Sequence, residues 1–344
     1  MTVMPETIAI AAERAAAAAA DLDSADAVIA RREAGGAGPG EDARVESCVA
    51  ELLRDQDGDG SWGAELVPTA EALILLHELM HGAIAGRSAG AETVEPSEAL
   101  TRARAAAVPA VERGVAWLRG RRGRPGRYGE GCSPERHREG LCHHFSGGFF
   151  SPGPPEIDQS GLRLGVGVEI DDDGEARLAA SCVALRALLR WGALTTDARL
   201  HLDTLHRLIL RWRRWEHGRP GPAAALAMMA AALEAPPDDT AGHDAIEHGL
   251  GLIAGSQRAD GSWPGADTFQ VLETLLAARR RGFRNDRLEA TLLRGAGLLA
   301  STQSVEDGTW GRETSPRRLR IGWAALRIAG ELDPVAARGR PAGD

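Results

Sequence analysis

Apolar residues recur at three- and four-residue spacing through most of the chain, and that period predicts amphipathic helices. It is plain in "ARVESCVAELL" (43–53), "PTAEALILLHELMHG" (68–82), "DAIEHGLGLIAG" (244–255), "DTFQVLETLLAARRRG" (267–282), "LEATLLRGAGLLAS" (288–301) and "RLRIGWAALRIAG" (318–330). Alternation of period two is nearly absent. "LRLGVGVEI" (162–170) is the one strand candidate, and it reads as a hairpin within a loop.

The polar breaks between these helices share one grammar: "DQDGDGSWG" (55–63), "SQRADGSWPG" (256–265) and "TQSVEDGTWG" (302–311). Each runs Gln, a few polar residues, Gly, a small residue, Trp, and each joins two helices. Glycine admits the tight turn, tryptophan packs over it, and glutamine hydrogen-bonds exposed helix-end groups. Two degenerate pairs fill the middle. "VERGVAWLRGRR" (111–122) is a first helix whose turn has grown into the long loop 123–174, with "EARLAASCVALRALLRWG" as its partner. "LDTLHRLILRWRRWEHGRPGPAAALAMMAAALEA" (202–235) breaks at Gly218 to Pro222. With the N-terminal helical stretch the count is eleven or twelve helices. That number suffices for one all-α domain over 1–344, a closed ring of about six helix pairs around a central cavity.

The turn grammar at Gln56/Gly60/Trp62, Gln257/Gly261/Trp263 and Gln303/Gly308/Trp310 resembles the QW motif of the squalene-hopene cyclase and protein prenyltransferase superfamily. That resemblance implies an α/α barrel. Class II terpene cyclases of this superfamily carry a DxDD motif at the start of an inner helix, often after a Gly-Gly-aromatic turn. Here "SGGFF" (146–150) precedes "PPEIDQSG" (154–161) and "VEIDDDGE" (168–175). Glu169-Ile170-Asp171-Asp172 resembles DxDD with Glu in first place. The resemblance implies a non-redox cyclase of isomerase or lyase type, with Asp171 as the acid that protonates a linear isoprenoid or meroterpenoid. Glu169 and Asp172 would support it, and Asp158 is the second candidate. Crowded carboxyls in an apolar cavity are the chemistry such an acid needs, because like charges and burial both disfavour ionisation. The competing reading of the same run is a solvated helix N-terminus, where acidic residues cap free amides and complement the dipole. A third is binding of metal or of a diphosphate with Mg2+.

Phe149, Phe150, Trp191, Trp323 and Asp267 are the candidate substrate contacts, the last with helix capping as its alternative. "PPDDTAG" (236–242) reads as a cap and first turn. "RRRGFR" (279–284) and "RETSPRRLR" (312–320) fall at ends of inner helices and read as solvated faces, or as a cradle for a diphosphate. Cys132, His137, Cys142, His143 and His144 are zinc-binding types at a spacing matching no zinc motif, and an Asp-x-Cys pair of the prenyltransferase kind is absent from the sequence. No cofactor is required on this reading, Mg2+ entering only with a diphosphate substrate.

Composition changes little. A net charge of −9 with mixed signs offers no basic face for nucleic acid. The absence of lysine and the single asparagine, Asn285, read as genomic bias. No basic n-region opens the sequence and no run of about 18 uncharged apolar residues occurs, so neither a signal peptide nor a membrane span is expected, peripheral contact aside. Four cysteines, with Cys48 and Cys182 inside apolar helical patterns, fit a reducing, cytoplasmic setting.

Overall fold

The computed structural model describes residues 5–20, 22–34, 39–81, 97–121, 160–164, 168–193, 195–215, 220–236, 239–311 and 315–332. These hold twelve helices: α1 (Pro5–Ala20), α2 (Ala25–Glu33), α3 (Pro39–Arg54), α4 (Leu66–His81), α5 (Glu98–Gly120), α6 (Asp173–Arg190), α7 (Thr196–Arg211), α8 (Pro222–Ala232), α9 (Thr240–Gly255), α10 (Thr268–Arg280), α11 (Asp286–Thr302) and α12 (Pro316–Leu332). The even-numbered helices close a ring in which α2 packs on α4, α4 on α6, α6 on α8, α8 on α10, α10 on α12 and α12 back on α2. The odd-numbered helices lie outside them, giving the six pairs of an α/α barrel. Between α5 and α6, strands β1 (Leu162–Leu164) and β2 (Val168–Ile170) form an antiparallel hairpin with Arg163 opposite Glu169, as the alternation there predicts.

Composition separates the two rings. Helix α8, "PAAALAMMAAA", is apolar all round, starts with Pro222 in its first turn and is buried on nearly every side, as an inner helix must be. Helix α7 keeps a solvent face: Leu202, Leu205 and Ile209 are buried while Leu200 and Leu210 are exposed.

The three Gln–Gly–Trp turns fasten each pair to the next. In each, the tryptophan indole donates to a carbonyl in the last turns of the preceding outer helix: Trp62 to Leu52, Trp263 to Ile253 and Trp310 to Leu299, all at 2.8 Å. This ties the turn to carbonyls near the helix end, where the intrahelical ladder runs out. Each glutamine Nε2 donates twice, once within its own turn and once to an outer helix. Gln56 reaches Ala110 of α5 at 2.9 Å, Gln257 reaches Thr291 of α11 at 2.9 Å, and Gln303 reaches Ala11 of α1 at 3.0 Å. The third turn therefore locks the end of the chain onto its beginning. At Gly261, with φ of +93°, a Cβ would collide with the Arg294 carbonyl oxygen, so glycine is set there by both backbone conformation and close approach.

Candidate functional site

The acidic run before α6 is disposed by strand alternation. Val168 and Ile170 turn inward, Ile170 being buried, so Glu169 and Asp171 turn outward and both are exposed. Glu169 pairs with Arg163 across the hairpin at 3.2 Å. Asp172 is the N-cap of α6, accepting from the Glu175 amide at 3.0 Å. Asp173 pairs with Arg177 at 3.0 Å, and Glu175 reaches over to accept from the Gly221 amide at 2.8 Å, at the N-terminus of α8. The expectation of a buried, crowded acid at Asp171 is thus corrected, because a period-two segment with its apolar side inward must present these carboxylates to solvent.

Other candidates resolve similarly. Trp191, expected to line the cavity, is the C-cap residue of α6; its indole donates to the Leu73 carbonyl at 2.9 Å and its ring meets His77 and His81 edge-on. Trp323 is half-buried against the core and lines neither chamber described below. Asp267 caps α10, accepting from the Phe269 amide at 2.9 Å, and pairs with Arg318 at 2.6 Å. Asp239 in "PPDDTAG" caps α9, as expected. Asp158, Phe149, Phe150 and the candidates Cys132, His137, Cys142, His143 and His144 lie outside the described residues.

Inside the ring lie two chambers of about 420 and 360 Å3, within the range of small-molecule sites. The larger faces the N-terminal halves of α10 and α12, with Leu75, Val183, Leu226, Ala227 and Ala230 in its wall, Trp62 at one side and Leu164 of β1 reaching in. The smaller lies towards the C-terminal ends of α6 and α10, beside His77, Arg280 and Arg281. Glu78, Arg186, Glu273 and Arg320 border both chambers.

These shared residues belong to an ionic network to which every inner helix contributes, in the case of α8 through the turn that follows it. Glu78 of α4 accepts from Arg190 of α6 at 2.5 Å and from Arg320 of α12 at 2.6 Å. Glu234, just after α8, takes Arg190 at 2.7 Å and Arg186 at 3.3 Å. Glu273 of α10 takes Arg317 at 2.9 Å, and Arg317 also approaches Glu71 of α4 at 3.5 Å. Asp26 of α2 lies 3.3 Å from Arg320. Burial opposes charge on Glu78 and Glu273, yet the guanidiniums hold Glu78 well below the ordinary carboxylate range and Glu273 at about 2. Asp26 moves the other way, raised by burial more than Arg320 and Arg317 lower it. Burial and the neighbouring Arg190 push His77 down to about 4. Reading "RETSPRRLR" as a solvated face or a diphosphate cradle is corrected for Arg317 and Arg320, which are consumed inside the ring.

The network was missed in the sequence, though a signal existed. Charged residues stand among the apolar positions of the inner helices, acidic at Glu71 and Glu78 of α4 and Glu273 of α10, basic at Arg186 and Arg190 of α6 and Arg317 and Arg320 of α12, so adjacent or near-adjacent helices turn opposite signs towards the ring.

Among the described residues no group of three or more His, Cys, Asp or Glu is placed to hold a metal ion, the interior carboxylates being engaged by guanidiniums. No described helix is long and apolar enough to cross a membrane.

Neither a protein-family model nor a curated protein sequence matches the chain. Among solved structures it is similar to the type II terpene cyclase MstE from Scytonema in complex with geranylgeranyl dihydroxybenzoate, its substrate, at 11% identity and a TM-score of 0.51, over 96% of this chain and 98% of that one. It also aligns with ent-copalyl diphosphate synthase from Streptomyces platensis at 15% identity, over 94% of this chain and 99% of that one, with a TM-score of 0.25 that carries no argument. The fold is that of the terpene-cyclase α/α barrel.

Proposed function

We propose that the protein is an enzyme that folds a linear isoprenoid, or an isoprenoid chain on another headgroup, into the larger chamber and closes rings after protonating a double bond, the chemistry of class II terpene cyclases. The observation that carries this reading is a chamber of about 420 Å3 inside the ring, with an apolar wall of Leu75, Val183, Leu226 and Ala227 facing a border of charged groups that includes carboxyls, on a fold shared with a cyclase whose bound substrate carries a geranylgeranyl chain. An apolar wall excludes water from the cationic intermediates. Trp62 is the one Trp, Tyr or Phe ring among the described residues lining that chamber, so aromatic stabilisation of cations is sparse and a short substrate or few closures fit best. The reaction is an isomerisation without redox change. Mg2+ would enter only as the counter-ion of a diphosphate.

Incubation of the purified protein with farnesol, geranylgeraniol, their diphosphates and geranylgeranyl dihydroxybenzoate tests this by mass spectrometry. The expected product has the substrate's mass and fewer hydrogenatable double bonds; if every substrate keeps all its double bonds, the reading fails. The exposure of Asp171 favours a second reading, a non-catalytic or partner-dependent barrel, and full retention of substrate across the panel would select it. A ring closure on a non-terpenoid substrate would show instead as binding of a different compound class in the same chamber.

A further inference from the structure

We propose that Asp26, in the first turn of α2, is the catalytic acid of the larger chamber and holds its proton because the charges around that chamber do not balance. The assignment rests on the cyclase reading. Four carboxyls among the described residues border the chamber, Asp26, Glu71, Glu78 and Glu273, against three guanidiniums, Arg186, Arg317 and Arg320; adding Arg190, which grips Glu78, and Glu234, which pairs with Arg190 and Arg186, leaves the same excess of one carboxyl. An uncompensated negative charge in a low-dielectric enclosure is costly, and one bound proton removes it. The pairing distances decide where that proton sits.

Glu78 is gripped by Arg190 and Arg320 at 2.5 and 2.6 Å. Glu273 receives two bonds from Arg317, at 2.9 and 3.1 Å, with Arg186 at 3.8 Å. Glu71 approaches Arg317 at 3.5 Å and keeps a third of its side chain accessible, so solvent shares its charge. Asp26 is served last. Its ion pair is with Arg320 at 3.3 Å, through the same nitrogen that already donates to Glu78 at 2.6 Å. A fifth of its side chain stays open and it borders the chamber. The charged groups acting on it are Arg320 and Arg317 from α12, which favour its ionised form, and Glu78 of α4 and Glu273 of α10, which oppose it; burial outweighs the guanidiniums and raises its pKa. The N-terminal dipole of α2 also favours the anion, and it acts against the same burial.

In the reaction, the π pair of a substrate double bond takes the Asp26 proton to form a new C–H bond, leaving a carbocation on the more substituted carbon and a carboxylate on Asp26. The π pair of the next double bond closes the carbon–carbon bond. The last cation loses a proton to water, and Asp26 regains one from solvent, so atoms and charge balance.

The test has two arms. Infrared spectroscopy of the substrate-free protein at pH 7 should show a protonated-carboxyl C=O band that disappears in Asp26→Asn while thermal stability is kept; if that band is absent, or persists in the variant, the assignment is overturned whatever the activity. With geranylgeraniol or its diphosphate as probe, Asp26→Asn should lower cyclisation at least about 100-fold, the lower bound for a general acid, with rate falling as pH rises through the Asp26 titration. Turnover within threefold of wild type in Asp26→Asn, or a loss carried by Glu71→Gln instead, overturns Asp26 and leaves the cyclase reading intact. A wild-type protein that shows the Asp26 band but cyclises no probe overturns the catalytic role and the cyclase reading together, which separates that failure from a misassigned acid.

Discussion

Glu78 and Arg320 meet in the middle of the ring, Oε2 to Nη1 at 2.6 Å, though 242 residues separate them along the chain. The other oxygen of Glu78 is held by Arg190, so a single carboxylate joins α4, α6 and α12 where the two chambers border one another. Removing one member of a buried ion pair strands its partners. Glu78→Gln should therefore cost about 3–5 kcal/mol of unfolding free energy, measured by urea denaturation. An apolar replacement of Glu78, Arg190 and Arg320 together with their other partners Asp26 and Glu234 should cost far less, since Glu71, Glu273, Arg186 and Arg317 keep partners among themselves. Equal losses in the two variants would show that the network contributes packing rather than compensated charge.

Acid should unfold the protein in two stages. His77 has its pKa depressed to about 4, so the unfolded chain binds that proton first, and the contribution of His77 to stability declines as pH falls from about 6.5 to 4 by up to about 3 kcal/mol. Below that, Glu273 at about 2 and Glu78, also depressed, lose the stability they contribute above the unfolded carboxylate pKa; this second loss runs from about 4.5 down to about 2. His77 Nδ1 is buried without a hydrogen-bond partner, so His77→Phe should shrink the first loss, leaving the part due to His206, whose pKa burial also lowers, and spare the second. Chemical denaturation at half-unit pH steps would reveal it. Asp26, whose pKa is raised, adds stability over the same range as pH falls, so the test is the difference between the two proteins: curves for wild type and His77→Phe that run parallel between pH 6.5 and 4 are incompatible with this placement of His77.

Much of the architecture could be read from the chain because its rules are local. The 3.6-residue period marks helices, and a Gln–Gly–Trp turn contains the glycine, the indole and the amide that build it, so "SQRADGSWPG" announces itself within ten residues. The hairpin was equally visible, and the same alternation that reveals it places Asp171 outside. That inference requires reading Val168 and Ile170 together with the acids, not the acids alone. The ionic interior was hidden for the opposite reason. Glu78 and Arg190 stand 112 residues apart, each set among apolar residues of its own helix, and only ring closure makes them neighbours.

The acidic run separates cap from acid by substitution. Asp172→Ala removes the side chain that accepts the Glu175 amide and should cost about 1 kcal/mol. Asp171→Asn, at an exposed position, should change stability by less than about 0.5 kcal/mol. Thermal melts of both variants, paired with turnover of geranylgeraniol, check the two roles at once. A large loss of turnover in Asp171→Asn with its stability unchanged would restore the acid role to Asp171.

Ring closure makes a regional prediction. Gln303 donates to Gly308 at 2.8 Å and to Ala11 at 3.0 Å, both bonds buried, so its amide joins the last turn to the first helix. Gln56 makes the same pair of bonds to Gly60 and Ala110, but Ala110 lies on α5, the outer helix of the very next pair. Truncating either side chain leaves buried carbonyls short of a donor, at about 1–3 kcal/mol. The two losses should differ in where they fall, because α1 is held to the ring through α2, α11 and α12 and the Gln303 bond secures that seam. In Gln303→Ala, hydrogen exchange should accelerate in α1, α11 and α12, with α4 to α8 keeping their protection; in Gln56→Ala the acceleration should centre on α3 and α5. Such regional opening is the behaviour of a cooperative unit less stable than the whole. If Gln303→Ala instead lowers protection evenly around the ring, the barrel unfolds as one unit and the seam has no separate stability.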